Sequence, residues 1–234
     1  MIDKFVRLDK DSSIKIQVTS LKVQMVRNIF VVFFLFSTLC LLECNPMTQK
    51  EAKPDSIPST TFNEDGSVNV YIEIPAGTNV KKEIHEEDST IKPDQINGQD
   101  RIIDFLPYPG NYGFIAGTMM DKDRGGDGDA LDVLVLCDAR KSGTAMKVKP
   151  IGVLLLEDGG EQDHKVIAVP FEESERTIKV DRFSSFITKY NAAQFIVQEW
   201  FLNYKGLGQM RLLGWKDEEF AQKEIRKWSQ DQKK

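Results

Sequence analysis

Apolar and polar positions alternate most clearly toward the end of the first third of the chain. Val68-Asn69-Val70-Tyr71-Ile72-Glu73-Ile74 repeats every two residues. Val68, Val70, Ile72 and Ile74 share one face and Asn69, Tyr71 and Glu73 the other, the pattern of a strand with one polar face. Pro75 ends it and Ala76-Gly77-Thr78-Asn79 turns the chain. Lys81-Lys82-Glu83-Ile84 opens a second strand, and the polar stretch 86–98 reads as a hairpin excursion. The apolar runs Val133-Leu134-Val135-Leu136 and Ile151-Gly152-Val153-Leu154-Leu155-Leu156 predict buried strands, and Val166-Ile167-Ala168-Val169 predicts the strand returning from the second of them. Between the second and third lies an acid-rich hairpin tip, Glu157 to Lys165. The period then changes. Phe186, Tyr190, Ala193, Val197, Trp200 and Tyr204 recur every three or four residues, an apolar stripe on one long helix capped by Ser185 and stopped by Gly206. Asp217 caps a last helix with Ala221, Ile225 and Trp228 on one face. Short strands followed by helices predict a mainly β fold with α.

The N-terminal part has another character. Ile29 to Leu42 is an uncharged run of 14 residues preceded by Arg27. It is short for a transmembrane helix and has the length of a signal-peptide apolar region. It leads to Leu41-Leu42-Glu43-Cys44, similar to a relaxed bacterial lipoprotein cleavage box, with Glu43 where a small residue is usual. Met25 would open a compact signal peptide, so starts at Met1 and Met25 both stay open. Residues 45–66 are rich in Pro, Ser, Thr and charge and read as a flexible tether. The expected organisation is a leader over 1–44, a tether over 45–66 and one domain over 67–234. The expected location is outside the cytoplasm, periplasmic or lipid-anchored, with the cytoplasm as alternative. Cys40 and Cys44 fall in or beside the leader, so Cys137 has no disulfide partner in the domain and reads as a small core residue.

Composition removes several classes. With 31 basic and 36 acidic residues the net charge is −5, which offers no field for nucleic acid. Two histidines, His85 and His164, are too few for zinc or non-haem iron sites. Neither a Gly-x-Ser-x-Gly elbow nor a phosphate loop occurs. What the chain does concentrate is carboxylate. In Asp127-Gly128-Asp129-Ala130-Leu131-Asp132 three acids crowd at the mouth of a buried strand and repel one another unless a cation sits among them. Oxygen donors of this kind suit Mg²⁺ or Ca²⁺. Met119 to Gly126 lengthens the loop ahead of them and opens a second reading. Asp121, Asp123, Gly126, Asp127, Asp129 and Asp132 fall at positions 1, 3, 6, 7, 9 and 12 of an EF-hand-like calcium loop, although its flanks read as strands where that motif needs helices.

The acidic segment also resembles the signature of the soluble, family I type inorganic pyrophosphatases, with Ala130 where Pro or Glu is usual. Four more blocks follow the same family's order: Ile72-Glu73-Ile74-Pro75 with Val80-Lys81-Lys82-Glu83-Ile84; Arg101 with Tyr108-Pro109-Gly110-Asn111-Tyr112-Gly113; Asp158, Asp163 and Lys165; and Tyr204-Lys205. The resemblance implies a closed five-stranded OB-like barrel with two C-terminal helices packed outside. It implies hydrolysis of pyrophosphate to two orthophosphates by an activated water, several Mg²⁺ ions per active site, and a homo-oligomer that meets a membrane only through its N-terminal anchor. By the same resemblance Glu73, Asp127, Asp132, Asp158 and Asp163 are metal-site carboxylates. Asp129 and Tyr112 are catalytic, and Lys81, Glu83, Arg101, Lys165, Tyr204 and Lys205 serve the substrate. Arg101 stands one residue closer to Tyr108 than the family pattern, and Gly159 replaces an acid that often follows Asp158. A calcium-binding module, or an inactive surface lipoprotein of the same fold, is the alternative.

Overall fold

The chain divides into two units, Met1–Ala52 and Lys53–Lys234. The computed structural model describes residues 54–85 and 90–231, all within the second unit. The expected leader, with Met25, Ile29 to Leu42 and Cys44, lies outside the described residues. Among the described residues no helix is long and apolar enough to cross a membrane.

The domain is mainly β with a few helices. In chain order, β1 (Val68–Ile74) precedes two small hairpins, β2 (Lys82–His85) with β3 (Thr90–Pro93) and β4 (Gln95–Ile96) with β5 (Gln99–Asp100). Then come β6 (Asn111–Ile115), β7 (Asp132–Val135), the long β8 (Thr144–Asp158), β9 (Glu161–Gln162) and β10 (Lys165–Pro170). Helices α1 (Phe183–Lys189) and α2 (Asn191–Asn203), strand β11 (Met210–Lys216) and helix α3 (Glu218–Trp228) complete it.

The principal sheet runs β1-β6-β7-β10-β8-β11, and β8 also pairs with β1. The β7–β10 pair is parallel, the other pairs antiparallel. Strand β8 serves four partners because it has 15 residues: its start faces β1, its middle β10 and its end β11 and β9. Between β1 and β11 it passes a register shift at which Ile151 is the extra residue, a bulge that bends the strand. Gly152 stands at that bend. A Cβ there would lie 2.8 Å from the Phe183 ring and 2.9 Å from the Lys216 carbonyl oxygen.

Successive residues of the central strands enter opposite cores. Val133, Val135, Val153, Leu155, Val166 and Ala168 pack with Ala221, Ile225 and Trp228 of α3. Leu134, Leu154, Leu156, Ile167 and Val169 pack with Phe186, Val197, Trp200 and Phe201. The continuous apolar runs therefore report burial on both faces. Asp217 caps α3 as expected, accepting from the Phe220 N–H at 3.0 Å.

Two expectations are corrected. The single helix from Ser185 to Tyr204 is two. Tyr190 leaves helical geometry (φ −133°, ψ 38°), and α1 starts at Phe183 behind Arg182, not at a Ser185 cap. The stripe divides at the break: Phe186 of α1 faces Trp215 of β11, while Val197, Trp200 and Phe201 form the buried stripe of α2. The described part of the expected tether, residues 54–66, is packed onto the domain. The Asp55 N–H donates to the Gly143 carbonyl at 2.8 Å, and Asp55 Oδ2 accepts from the Ala145 N–H at 2.9 Å. Tyr71 Oη donates to the Asp55 carbonyl at 3.2 Å and Asn69 Nδ2 to the Thr60 carbonyl at 2.9 Å. Thr61 is fully buried and Phe62 bridges to Val68. The strap satisfies Asn69 and Tyr71 on the polar face of β1, a strand in which every residue is buried. A polar, Pro-rich composition reports solvation and does not reveal such specific docking.

Candidate active site

Strand pairing assembles the site. Parallel register sets Lys165, the first residue of β10, beside Asp132, the first of β7. Antiparallel register sets Phe114 of β6 opposite Asp132 and Tyr112 opposite Leu134. Glu73 lies near the end of β1, Lys81 just before β2, Glu83 within it, Asp158 at the end of β8, and Tyr204-Lys205 after α2. These residues, with Arg101, Asp127, Asp129 and Asp163, line one cavity of about 700 Å³. Every site residue that the family resemblance assigned lines this cavity.

At its floor Lys165 is 2% exposed. Its ammonium donates to Asp132, to Asp163 Oδ1 at 2.5 Å and to Tyr112 Oη at 3.3 Å. Burial alone would lower the Lys165 pKa; the charges of Asp132 and Asp163 more than reverse this and hold the amine protonated. Burial also works to raise Asp163, but the Lys165 charge and hydrogen bond hold it below the usual carboxylate range. In Asp132 burial prevails over Lys165, and the Asp163 charge adds to it, so that carboxyl is pushed up. Burial likewise raises the Tyr112 phenol. Around the wall, Lys81 pairs with Glu83 and lies 3.7 Å from Asp94. Arg101 Nη1 donates to Asp94 Oδ2 at 3.1 Å, and Lys205 Nζ to Asp158 Oδ2 at 2.5 Å.

Burial raises the pKa of the remaining carboxylates. Glu73 is 8% exposed and accepts from the Ile84 N–H at 2.8 Å. Burial, reinforced by the charges of Asp132 and Glu83, pushes it up to about 8. Asp127 accepts from the Asp129 N–H at 2.9 Å. Both are raised, first by burial, and Asp129 further by Asp132 and Glu83. One oxygen, Asp163 Oδ2, is buried with no hydrogen-bond partner. An orphaned carboxylate oxygen among crowded acids is the donor chemistry of a hard divalent cation. Among the described residues no three such side chains already close on one point. Lys165 stands between Asp132 and Asp163, and Lys205 on Asp158, so ammonium groups meet the charge that a cation would share.

The acidic loop is not an EF-hand. β6 precedes it and β7 begins at its last acid, and within it Asp121 caps a short 3-10 turn, Lys122–Arg124. The loop folds back tightly on Met120, which accepts from the Gly128 N–H at 2.8 Å. A Cβ on Gly126 would lie 2.6 Å from the Met120 carbonyl oxygen.

Other residues reach the site without having been singled out for it. Tyr108 lines the cavity, with its ring 4.4 Å from Trp200 and 5.2 Å from Tyr112. Its signal was present, since it opens the Tyr-Pro-Gly-Asn-Tyr block. Glu161 and Gln162 line the cavity from the acid-rich hairpin tip. Asp94, which holds Arg101, and Ile57, which lines the cavity from the strap, carry no local signal.

Comparison with known proteins identifies the family. A family model described as inorganic pyrophosphatase matches residues 70–233. An inorganic pyrophosphatase of Mesorhizobium japonicum is 36% identical over 173 residues, 71% of this chain and 90% of that protein. A solved inorganic pyrophosphatase from Coxiella burnetii superposes with a TM-score of 0.61 at 30% identity, over 74% of this chain and 97% of that one. A Trypanosoma cruzi vacuolar soluble pyrophosphatase solved in complex with PPi gives 0.64 at 27% identity, over 76% and 70%. The chain belongs to the inorganic pyrophosphatase family.

Proposed function

We propose that the domain hydrolyses inorganic pyrophosphate to two orthophosphates. The observation that carries this reading is one cavity where cationic side chains from separate elements face an excess of carboxylates, in a chain of this family. The cations suit a compact polyanion; the carboxylates suit the metal that must accompany it. Glu73, Asp127, Asp132, Asp158 and Asp163 would hold Mg²⁺. When bound, several such ions neutralise the substrate's charge and acidify the attacking water. Asp129 holds that water and accepts its proton. The water oxygen bonds to one phosphorus as the bridging P–O bond breaks, and the bridging oxygen leaves with the second phosphate. Lys81, Arg101, Lys165, Tyr204 and Lys205 bind the two phosphates and stabilise the charge that grows on the leaving one. Glu83 orients Lys81, and Tyr112 shares Lys165 with the acidic floor.

Supporting the finer architecture, β1, β6, β7, β10 and β8 each pair with two others of this set, β8 returning to β1, as in a closed five-stranded OB-like barrel. The family likeness supports a homo-oligomer. The apolar run before Cys44 supports export and a lipid anchor at that residue.

The test is phosphate release by the purified full chain. Release with Mg²⁺, inhibition by Ca²⁺ and loss in excess EDTA are expected. Full activity in EDTA overturns the metal assignment. Calcium binding without phosphate release would favour the calcium-module reading, and neither would leave a surface protein without turnover.

A further inference from the structure

The loop over Met119 to Ala130 carries Asp127 and Asp129 into the cavity without belonging to a strand, and it is fastened from outside. Much of the fastening comes from the C-terminal end of α3. The Met119 N–H donates to the Trp228 carbonyl at 3.0 Å. The Arg124 guanidinium lies 4.7 Å from the Trp228 ring centroid, and Nη1 donates to the Lys227 carbonyl at 3.2 Å. Carbonyls of a last helical turn lack intrahelical partners and favour a cation. Lys227 also stands over Trp228, at 4.0 Å, and its ammonium donates to Gln162 Oε1 at 3.3 Å. The Gln162 N–H in turn donates to the Gly125 carbonyl at 3.2 Å. Trp228 is itself immobilised: it is buried, and its indole N–H donates to Glu224 at 2.9 Å.

We propose that Arg124 is a positioning residue of the hydrolytic site. By stacking on Trp228 and bonding the Lys227 carbonyl, it latches the acidic loop to α3 and sets Asp127 and Asp129 against Asp132, which β7 holds independently. Arg124 does not line the cavity, so its effect passes through the loop. The inference rests on the reading of this cavity as the hydrolytic centre.

The test uses the full chain carrying Arg124→Ala or Arg124→Lys. In metal-free protein, hydrogen exchange of the Met120, Gly128 and Asp129 amides should quicken about tenfold in Arg124→Ala, while core-strand amides keep their rates. In turnover, kcat should fall about ten- to hundredfold with KM held within about twofold, because Lys81, Arg101 and Lys205 sit on other elements. Arg124→Lys keeps a cation over the ring and should recover part of both effects. Unchanged loop exchange, unchanged kcat, or a change spread through the core strands overturns the proposal. If the wild type releases no phosphate the hydrolytic reading fails, and loop exchange still decides whether Arg124 is the latch.

Discussion

Asp127, Asp129 and Asp132 stand within six residues, yet the fold gives them different surroundings. Asp132 is tied to Lys165 and Asp127 accepts the Asp129 N–H, while Asp129 faces the charges of Asp132 and Glu83. One ion cannot use all three alike without crowding. Asp129→Asn should therefore keep most metal affinity and lose turnover by roughly 10²- to 10⁴-fold, the worth of general-base help. Asp127→Asn and Asp132→Asn should bind metal more weakly and be partly rescued by raised Mg²⁺. Phosphate release measured against Mg²⁺ separates the classes. Equal rescue of all three would make Asp129 an ordinary ligand.

At the scale of elements, packing between segments sets what the site residues can do. Glu224 of α3 holds His164, the residue between Asp163 and Lys165, at 3.1 Å. Burial works to raise the Glu224 carboxyl, but hydrogen bonds from His164 and Trp228 and the Lys227 charge hold it below the ordinary value. A depressed carboxylate contributes stability above its unfolded pKa, about 4.3, and that stability is lost as pH falls through the folded value. Glu224→Gln should thus destabilise at neutral pH by about 1.5–3 kcal/mol and flatten the acid limb of the stability curve. Chemical denaturation between pH 7 and pH 3 measures both; parallel curves for variant and wild type would rule it out. The strap yields a second prediction. Removing residues 54–66 deletes the hydrogen bonds that Asp55 and Thr60 accept and the one that Thr61 donates to the Gly117 carbonyl, and uncovers β1, at a cost on the order of 2–4 kcal/mol. A chain beginning at Ser67 should melt roughly 5–15 °C below one beginning at Lys53. Coincident melting curves would mean that the strap adds nothing.

For the whole molecule, every described residue that lines the cavity lies in the Lys53–Lys234 unit, so catalysis and location should be separable. Cys44→Ala should move the protein from the membrane fraction to the soluble one with kcat unchanged. Wild-type protein found soluble in the cytoplasm with Met1 intact would end the lipid-anchor proposal. Much of the domain was legible before its structure. The period-2 face of β1, the apolar runs of β7, β8 and β10 and the capped α3 are local patterns, set by backbone geometry over a few residues. The five chemical blocks were legible because each packs its side chains into a short, recognisable span. The break at Tyr190 was not, since the stripe continues across it and only the backbone at Tyr190, which leaves helical geometry, divides the run into two helices.

The sequence by itself determined the periods of its strands and helices, where the acids gather and which family's order they follow. It left open what those acids face. Lys165 meets Asp132 across 33 residues because β10 lies parallel to β7, and Asp94 holds Arg101 because the β4–β5 hairpin between them brings its two ends together. The strap over β1 and the Arg124 contact with Trp228 are likewise long-range. A side chain's period follows from its own backbone, whereas its partner and protonation follow from which segments are driven together to bury apolar surface and satisfy the chain's polar groups. Only the tertiary structure decides that.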